Sequence, residues 1–338
     1  MKDIIEIDGS KYEGGGQVLR TAIAMSIATQ KPFYIKNIRA KRKKPGLMPQ
    51  HRKSVLSAAK LCGASYRRAD LGSKRLFFYP SDKFRNKLEI EIGTAGSATL
   101  LLQSLLLPAF FAPKTVEIDV VGGTDVGWSI PYDFLEKVII PKIKLFNLDI
   151  AISMIKRGYY PKGKGQINVI TEPLDDTTPI ELVNPGKLKS IEGVSHADSK
   201  LQSKKVAEEQ AKTAEKILKA ELKCPVNIKT RYYTTPSIAS GITLWANMEK
   251  TTIGADCLAD LGKEPKRTGE KAARDLINEI NSGAPVDKYT ADNLIPFIAL
   301  FGGRIKVSKI TEHTMTNMWV CEHFTDVKFK VEGNIISV

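Results

Sequence analysis

No two of the four cysteines, Cys62, Cys224, Cys257 and Cys321, form a CxxC pair. Thiolate zinc sites of the usual spacing are therefore excluded, and the cysteines are expected to be small core hydrophobes in a reducing compartment. Long apolar runs are also missing. The longest, Ala98 to Pro113, is interrupted by Gln103, Ser104 and Pro108, and it falls short of the roughly 20 residues that a spanning helix needs. A buried helix is expected there, and no membrane association. Lys2, Asp3 and Glu6 break up any apolar core at the N-terminus, so no secretory signal is expected and the cytoplasm is the expected compartment. Histidine is scarce as well: His51, His196, His313 and His323 are spaced too irregularly to suggest a metal set. Neither GxxxxGK[ST] nor GxGxxG occurs, which excludes a Walker loop and the dinucleotide fingerprint.

Acidic residues are in short supply relative to basic ones. Asp and Glu number 37 against 51 Lys and Arg, for a formal net charge of +14. A field of that sign concentrates polyanions, and nucleic acid is its commonest partner. The 42% hydrophobic content is enough for a sizeable core. At 338 residues the natural expectation is two domains.

Three stretches share one order of events. The first passes from Gly14-Gly15-Gly16-Gln17 into a helix over Val18 to Ala28, a strand from Phe33 to Ile38, a polar loop through Pro45-Gly46, and a helix from Gln50 to about Leu61. In the second, Gly93-Thr94-Ala95-Gly96-Ser97 leads into a helix over Ala98 to Ala109. A strand from Thr115 to Val121, the loop Gly122-Gly123-Thr124-Asp125 and a helix from Tyr132 to Phe146 follow. The third begins at Tyr289, with a helix over Asn293 to Leu300, a strand from Arg304 to Ile310 and a polar loop holding His313. Gly14 and Gly93 are about eighty residues apart, too far for a solenoid repeat, whereas Tyr289 follows Gly93 by roughly two hundred. The excess is enough for an inserted domain. The expected organisation is therefore α/β (α+β): a large domain of residues 1–180 and 283–338, and a small inserted α/β domain of residues 181–282. Within the insert, Ser199 to Leu222 and Gly269 to Ile280 read as helices, and Ile228 to Thr235 and Gly241 to Glu249 as strands.

Three glycines ahead of a helix suit close approach of a phosphate to backbone N–H groups, although a plain turn would look the same. The loop Arg39-Ala40-Lys41-Arg42-Lys43-Lys44 carries five cations between a strand and a helix. Arginine's planar fork there suits bidentate phosphate contact. His313 by itself would usually be a solvated or structural histidine.

Taken together these segments resemble the RNA 3'-terminal phosphate cyclase family. The motifs are Glu13-Gly-Gly-Gly-Gln17-x-x-Arg20, Arg39-x-x-Arg42-x-x-Pro45-Gly46-Leu47 with Gln50-His51, and Gly93-Thr-Ala-Gly-Ser97 with Gln103. Gly122-Gly-Thr-Asp125, Tyr159-Tyr-Pro161, Tyr289-x-x-Asp292 and His313-x-x-Thr316-Asn317 continue the series in order along the chain. The resemblance implies a large domain of three repeats, each a four-stranded sheet with two helices, plus a smaller α/β insert. It also implies ATP as co-substrate, Mg2+ or Mn2+, and an RNA with a 3'-phosphate end. His313 would be the nucleophile that carries AMP. Glu13, Gln17, Arg20, Arg39, Arg42, Gln50, His51, Gln103, Asp125, Pro131, Phe134, Tyr289, Asp292 and Asn293 would bind nucleotide or phosphate. Glu13 would also hold the metal, Tyr289, Pro131 and Phe134 would wall the adenine, and Asp292 would meet ribose. Family members commonly carry Gln where this chain has Asn293, and a plainer glycine run where it has Lys162 and Lys164. Association of identical chains is compatible with this reading. The rival readings are a non-catalytic cyclase-like RNA-binding protein of ribosome assembly and an enolpyruvyl transferase. Such binding relatives lack the histidine and several arginines present here, and enolpyruvyl transfer needs no covalent nucleotide.

Overall fold

A computed structural model describes residues 4–260 and 262–338. The first unit runs β1 (Ile5–Asp8), α1 (Gln17–Thr29), β2 (Phe33–Lys36), α2 (Pro49–Cys62), β3 (Ser65–Arg67) and β4 (Leu76–Tyr79). Its sheet has the order β1-β2-β4-β3, with β1 and β2 parallel and the other pairs antiparallel. Almost every residue of α1 from Gln17 to Ile27 is buried. A helix that is apolar nearly all round belongs in the middle of a protein, and α1 packs against helices of the other units.

The second unit repeats the plan: β5 (Lys87–Glu91), α3 (Ala98–Leu102), α4 (Leu106–Ala109), β6 (Val116–Gly122), α5 (Tyr132–Phe134), α6 (Ile140–Ile143), β7 (Ile150–Lys156) and β8 (Gly165–Thr171), in the order β5-β6-β8-β7. Prolines explain both irregular helices. Pro108 cannot donate to the carbonyl of Ser104, and the helix expected over Ala98 to Ala109 breaks between α3 and α4. Pro141 likewise leaves the carbonyl of Lys137 without its donor, and the chain widens into a π-helical segment over Leu135–Ile139 between α5 and α6.

The third unit opens with β9 (Ile180–Leu182) and is then interrupted by β10 (Leu188–Asp198), α7 (Val206–Glu221), β11 (Val226–Tyr233), β12 (Ser240–Met248), β13 (Thr252–Leu258) and α8 (Pro265–Asn281). It resumes with α9 (Lys288–Phe301), β14 (Gly303–Lys306), α10 (Glu312–Phe324), β15 (Lys330–Glu332) and β16 (Ile335–Ser337). Its sheet order, β15-β16-β14-β9, is the same topology a third time. The interrupting segment forms its own sheet, β11-β10-β12-β13, over a separate apolar cluster that includes Ile191, Leu218, Leu244 and Leu276. The expected boundary at residue 181 falls inside β9, whose Glu181 and Leu182 pair with Arg304 and Ile305. We propose a small domain that begins after Leu182. Two further differences matter for the site. Tyr289 and Asp292 lie within α9 rather than ahead of a helix. His313 lies in the first turn of α10, not in a loop, because the Thr311 side chain caps that helix through the N–H of Thr314 at 3.0 Å.

No helix among the described residues is long and apolar enough to cross a membrane. All four cysteines are free, with Cys62 and Cys321 buried and Cys224 and Cys257 half-buried.

Candidate active site

Helices α1, α2, α3 and α10 and the basic loop between β2 and α2 meet around the triple glycine. A Cβ on Gly16 would lie 2.3 Å from His51 Nε2 and 3.0 Å from Arg20 Nη1, and one on Gly15 would lie 2.2 Å from a Glu13 carboxylate oxygen. The glycines therefore open the start of α1 to this chain's own side chains as much as to a ligand. Arg20 is buried; its Nε donates to Gln103 Oε1 at 3.0 Å and its Nη2 to Gln17 Oε1 at 2.7 Å. Burial lowers the guanidinium to about 10, so it stays charged at neutral pH. Among the described residues no carboxylate pairs with Arg20. A buried cation with only amide partners leaves its charge to be met by an anion.

His51 and His313 are held neutral. Burial first, then Arg20, Arg39 and Arg42, push His51 down to about 3. His313 is lowered by burial, then by Arg20 and Arg42, with Glu312 opposing. The buried Nδ1 of each ring has no hydrogen-bond partner in the protein. Neutral imidazole is the nucleophilic form. Because the pKa is lowered, that form persists into more acid solution than for an ordinary histidine. A reaction that uses neutral His313 as its nucleophile should therefore have its acid limb below pH 6.5, falling about tenfold per unit on the acid side. An acid limb centred above 6.5 would contradict this environment for His313.

Glu13 is nearly buried and ion-paired with Arg42, which is half exposed. Arg39 turns its Nη1 onto the carbonyls of Lys44 and Gly46, at 2.6 and 3.0 Å, and so braces its own loop. Gln50 lies beside Gly96, whose Cβ would stand 3.4 Å from that of Gln50.

A chain of hydrogen bonds links this cluster to α9. Gln103 Nε2 donates to Asn293 Oδ1 at 2.9 Å, and Asn293 Nδ2 donates to the Tyr289 carbonyl at 2.8 Å. Pro296 lacks the N–H that would bond the Asp292 carbonyl, and Asn317 Nδ2 donates to that oxygen instead, at 2.6 Å. The Asn317 Oδ1 accepts from Gln17 Nε2 at 3.1 Å and from Thr21 Oγ1 at 2.7 Å. One buried amide thus ties α1, α9 and α10 together. Each buried polar group left unpaired costs about 1–3 kcal/mol. Asn317→Ala should therefore lower unfolding stability by about 3 kcal/mol or more in denaturant titration; a change within 0.5 kcal/mol, roughly the scatter of neutral substitutions, would deny the tie.

Three expected contacts sit elsewhere or face another way. The Asp292 carboxylate accepts from Thr311 and Thr314, at 3.0 and 2.7 Å, and anchors the start of the helix that carries His313. Burial, against these two hydroxyls, raises it to about 7. Asp125 is not gathered with Arg20 and His313. It is buried against Arg157 at 2.5 Å, and the same guanidinium binds Asp133 at 2.6 Å. Asp125, Asp133 and His196 come close enough to suggest a cation site, but Arg157 already supplies the positive charge between the two carboxylates. Pro131 caps α5 and is buried. Phe134 is fully buried and meets the half-exposed ring of Tyr289 edge-on with centroids 6.2 Å apart, so only Tyr289 offers an open face at the far end of the hydrogen-bonded chain.

Sequence reasoning missed Thr21, Thr311 and Thr314, though a threonine ahead of a helix is itself a capping signal. It also missed Arg157, which no local pattern marks.

Residues 11–331 match the profile of the RNA 3'-terminal phosphate cyclase family. The chain is 41% identical over 332 residues to the RNA 3'-terminal phosphate cyclase of Pyrococcus abyssi, covering 98% of this chain and 96% of that protein. Similar values hold for the proteins of the same name from Thermococcus gammatolerans (41% over 331 residues, 98% and 95% covered). Those for the one from Ignicoccus hospitalis are 39% over 340 residues, with 98% and 96% covered.

Proposed function

This chain belongs to the RNA 3'-terminal phosphate cyclase family, and we propose that it uses ATP to turn an RNA 3'-phosphate end into a 2',3'-cyclic phosphate. A neutral nitrogen of His313 attacks the α-phosphorus of ATP; a P–N bond forms, the bond to the bridging oxygen breaks, and pyrophosphate leaves. The ring's other nitrogen gives up its proton to solvent. An oxygen of the RNA 3'-phosphate then attacks the same phosphorus and displaces the imidazole, which takes a proton back. The RNA now ends in a pyrophosphate linkage to AMP. Finally the adjacent 2'-OH, losing its proton, attacks the RNA phosphorus and expels AMP as the ring closes.

The observation that carries this reading is a neutral His313 with a free buried nitrogen beside a buried, unpaired Arg20. Arg20 and Arg42 would stabilise the charge that grows on the transferring phosphate. The Glu13 carboxylate, here paired with Arg42, would hold a divalent cation, Mg2+ or Mn2+, once Arg42 turns to phosphate, and the ion would offset triphosphate charge. Adenine would lie against the exposed face of Tyr289, with the buried Phe134 ring backing it edge-on.

The test follows a 5'-labelled oligonucleotide with a 3'-phosphate. ATP should convert its end to a phosphatase-resistant form, with AMP and pyrophosphate released; an end that stays phosphatase-sensitive would overturn the proposal. In the same assay Arg42→Lys keeps the charge but loses the planar fork. Turnover should fall about tenfold or more, since charge-assisted forked contacts are the strong ones. A rate within twofold of wild type would reduce the loop to a solvated charge run.

A further inference from the structure

Two large aromatic side chains stand in solvent on neighbouring loops, and nothing in the site described above uses them. Trp128 is fully exposed and Tyr160 is 72% exposed. Trp128 also has a φ of +60°, in the left-handed region that bulky residues rarely adopt. Such a conformation persists only where its surroundings impose it, and it gathers at functional sites. The Trp128 loop is fixed at both ends: Ser129 Oγ donates to the Val126 carbonyl at 2.9 Å, and Thr99 Oγ1 donates to that of Ile130 at 2.7 Å. The Tyr160 turn is closed by Gly163 N donating to the Tyr159 carbonyl at 2.7 Å. Asp125 and Tyr159 form a parallel bridge, so the two loops leave the same place side by side.

Both loops pack on Ala95, next to Gly96. A Cβ on Gly163 would lie 2.9 Å from Ala95 Cα, and one on Gly123 would lie 2.5 Å from Val126 Cγ1 and 2.7 Å from the Ala95 carbonyl. Gly96 in turn abuts Gln50, the neighbour of His51. A short path of neighbouring residues therefore leads from the bases of the two loops to the Arg20 cluster. Cations flank it. Lys162 is exposed on the Tyr160 turn beside Lys164, which pairs with Glu91 at 3.0 Å, and Lys41, Lys43 and Lys44 are exposed on the basic loop.

Exposed aromatics on rigid loops, bordered by lysines, are what an unpaired polynucleotide end requires. Bases stack on the rings whatever their sequence, while the cations follow the phosphates. We propose that Trp128 and Tyr160 form a stacking rim that holds the last unpaired bases of the RNA substrate as its 3'-phosphate reaches the Arg20 cluster. This rests on the cyclase reading for its ligand, but it is tested by binding alone.

Binding of a labelled single-stranded oligoribonucleotide with a 3'-phosphate is measured by anisotropy for wild type, Trp128→Ala, Trp128→Phe and Tyr160→Ala. Trp128→Ala should weaken binding about tenfold, Trp128→Phe by much less, and Tyr160→Ala measurably. An oligonucleotide made abasic near its 3' end should cost wild type a similar factor and cost Trp128→Ala nothing further. AMP capture from ATP should be unaltered in all variants, which also shows that they fold. RNA affinity equal to wild type in Trp128→Ala and Tyr160→Ala would overturn the proposal. So would unchanged RNA binding with a change in oligomeric mass by light scattering, which would mark the rim as a self-association surface. Wild-type protein that binds RNA but never captures AMP would instead defeat the cyclase reading and leave the rim to stand or fall on the binding data.

Discussion

His313→Ala should abolish covalent capture of AMP from ATP, by at least about a thousandfold, with the fold intact. Among the described residues, no other side chain near Arg20 combines a neutral nucleophile with a free buried nitrogen except His51, and that ring is packed against Gly16. Removing a nucleophile removes the covalent route entirely, which is why such losses are among the largest single-residue effects. Stability should change little. His313 is only half-buried, its Nδ1 makes no hydrogen bond that could be lost, and alanine is well suited to a first helical turn. Denaturing electrophoresis after incubation with α-labelled ATP reads the adduct, and a thermal melt reads the fold. A folded His313→Ala protein that still carries label would move the nucleophile elsewhere. His51→Ala should slow labelling yet leave an adduct, because we propose that His51 lines the pocket and His313 bonds phosphorus.

How far the sequence reveals this arrangement depends on the range of each interaction. The apolar stretch from Val18 to Ala28 declares a buried helix on its own, and α1 is that helix. Strands of three or four residues, such as β3 and β15, are too short to show a period, so the hairpins closing the first and third sheets escaped notice. The first strand of the third unit escaped for another reason: the insert separates Ile180–Leu182 from α9, and only the pairing with β14 joins them. His313 read as a loop residue because its cap, Thr311, has Thr314 rather than the usual Glu or Gln three residues on. The candidate site residues were visible as motifs, but their partners were not. Nothing local says that Asn317 supplies the bond Pro296 withholds, or that Asp125 pairs with Arg157. Those are tertiary facts, carried by pairs 25 and 32 residues apart.

An oligonucleotide whose terminal sugar carries the 3'-phosphate but lacks the 2'-OH should change the product completely. Transfer of AMP needs only the phosphate, so the end should still be capped. Ring closure needs the hydroxyl, whose placement beside the phosphorus supplies an effective concentration on the order of 10⁵ M or more. Without it the adenylylated end should accumulate, while the ribose counterpart passes on to the cyclic phosphate and free AMP. Gel analysis after phosphatase treatment distinguishes the two. A ribose substrate that also stops at the capped end would make this protein an adenylyltransferase.

The claim on which everything else depends is that AMP travels from ATP to RNA by way of His313. Protein labelled from α-labelled ATP is freed of nucleotide and pyrophosphate, then given an RNA with a 3'-phosphate and nothing else. The label should leave the protein, appear as free AMP, and do so in step with an equal yield of cyclic ends. Label that stays on the protein while the RNA end is unchanged, or cyclic ends formed without loss of label, would contradict it.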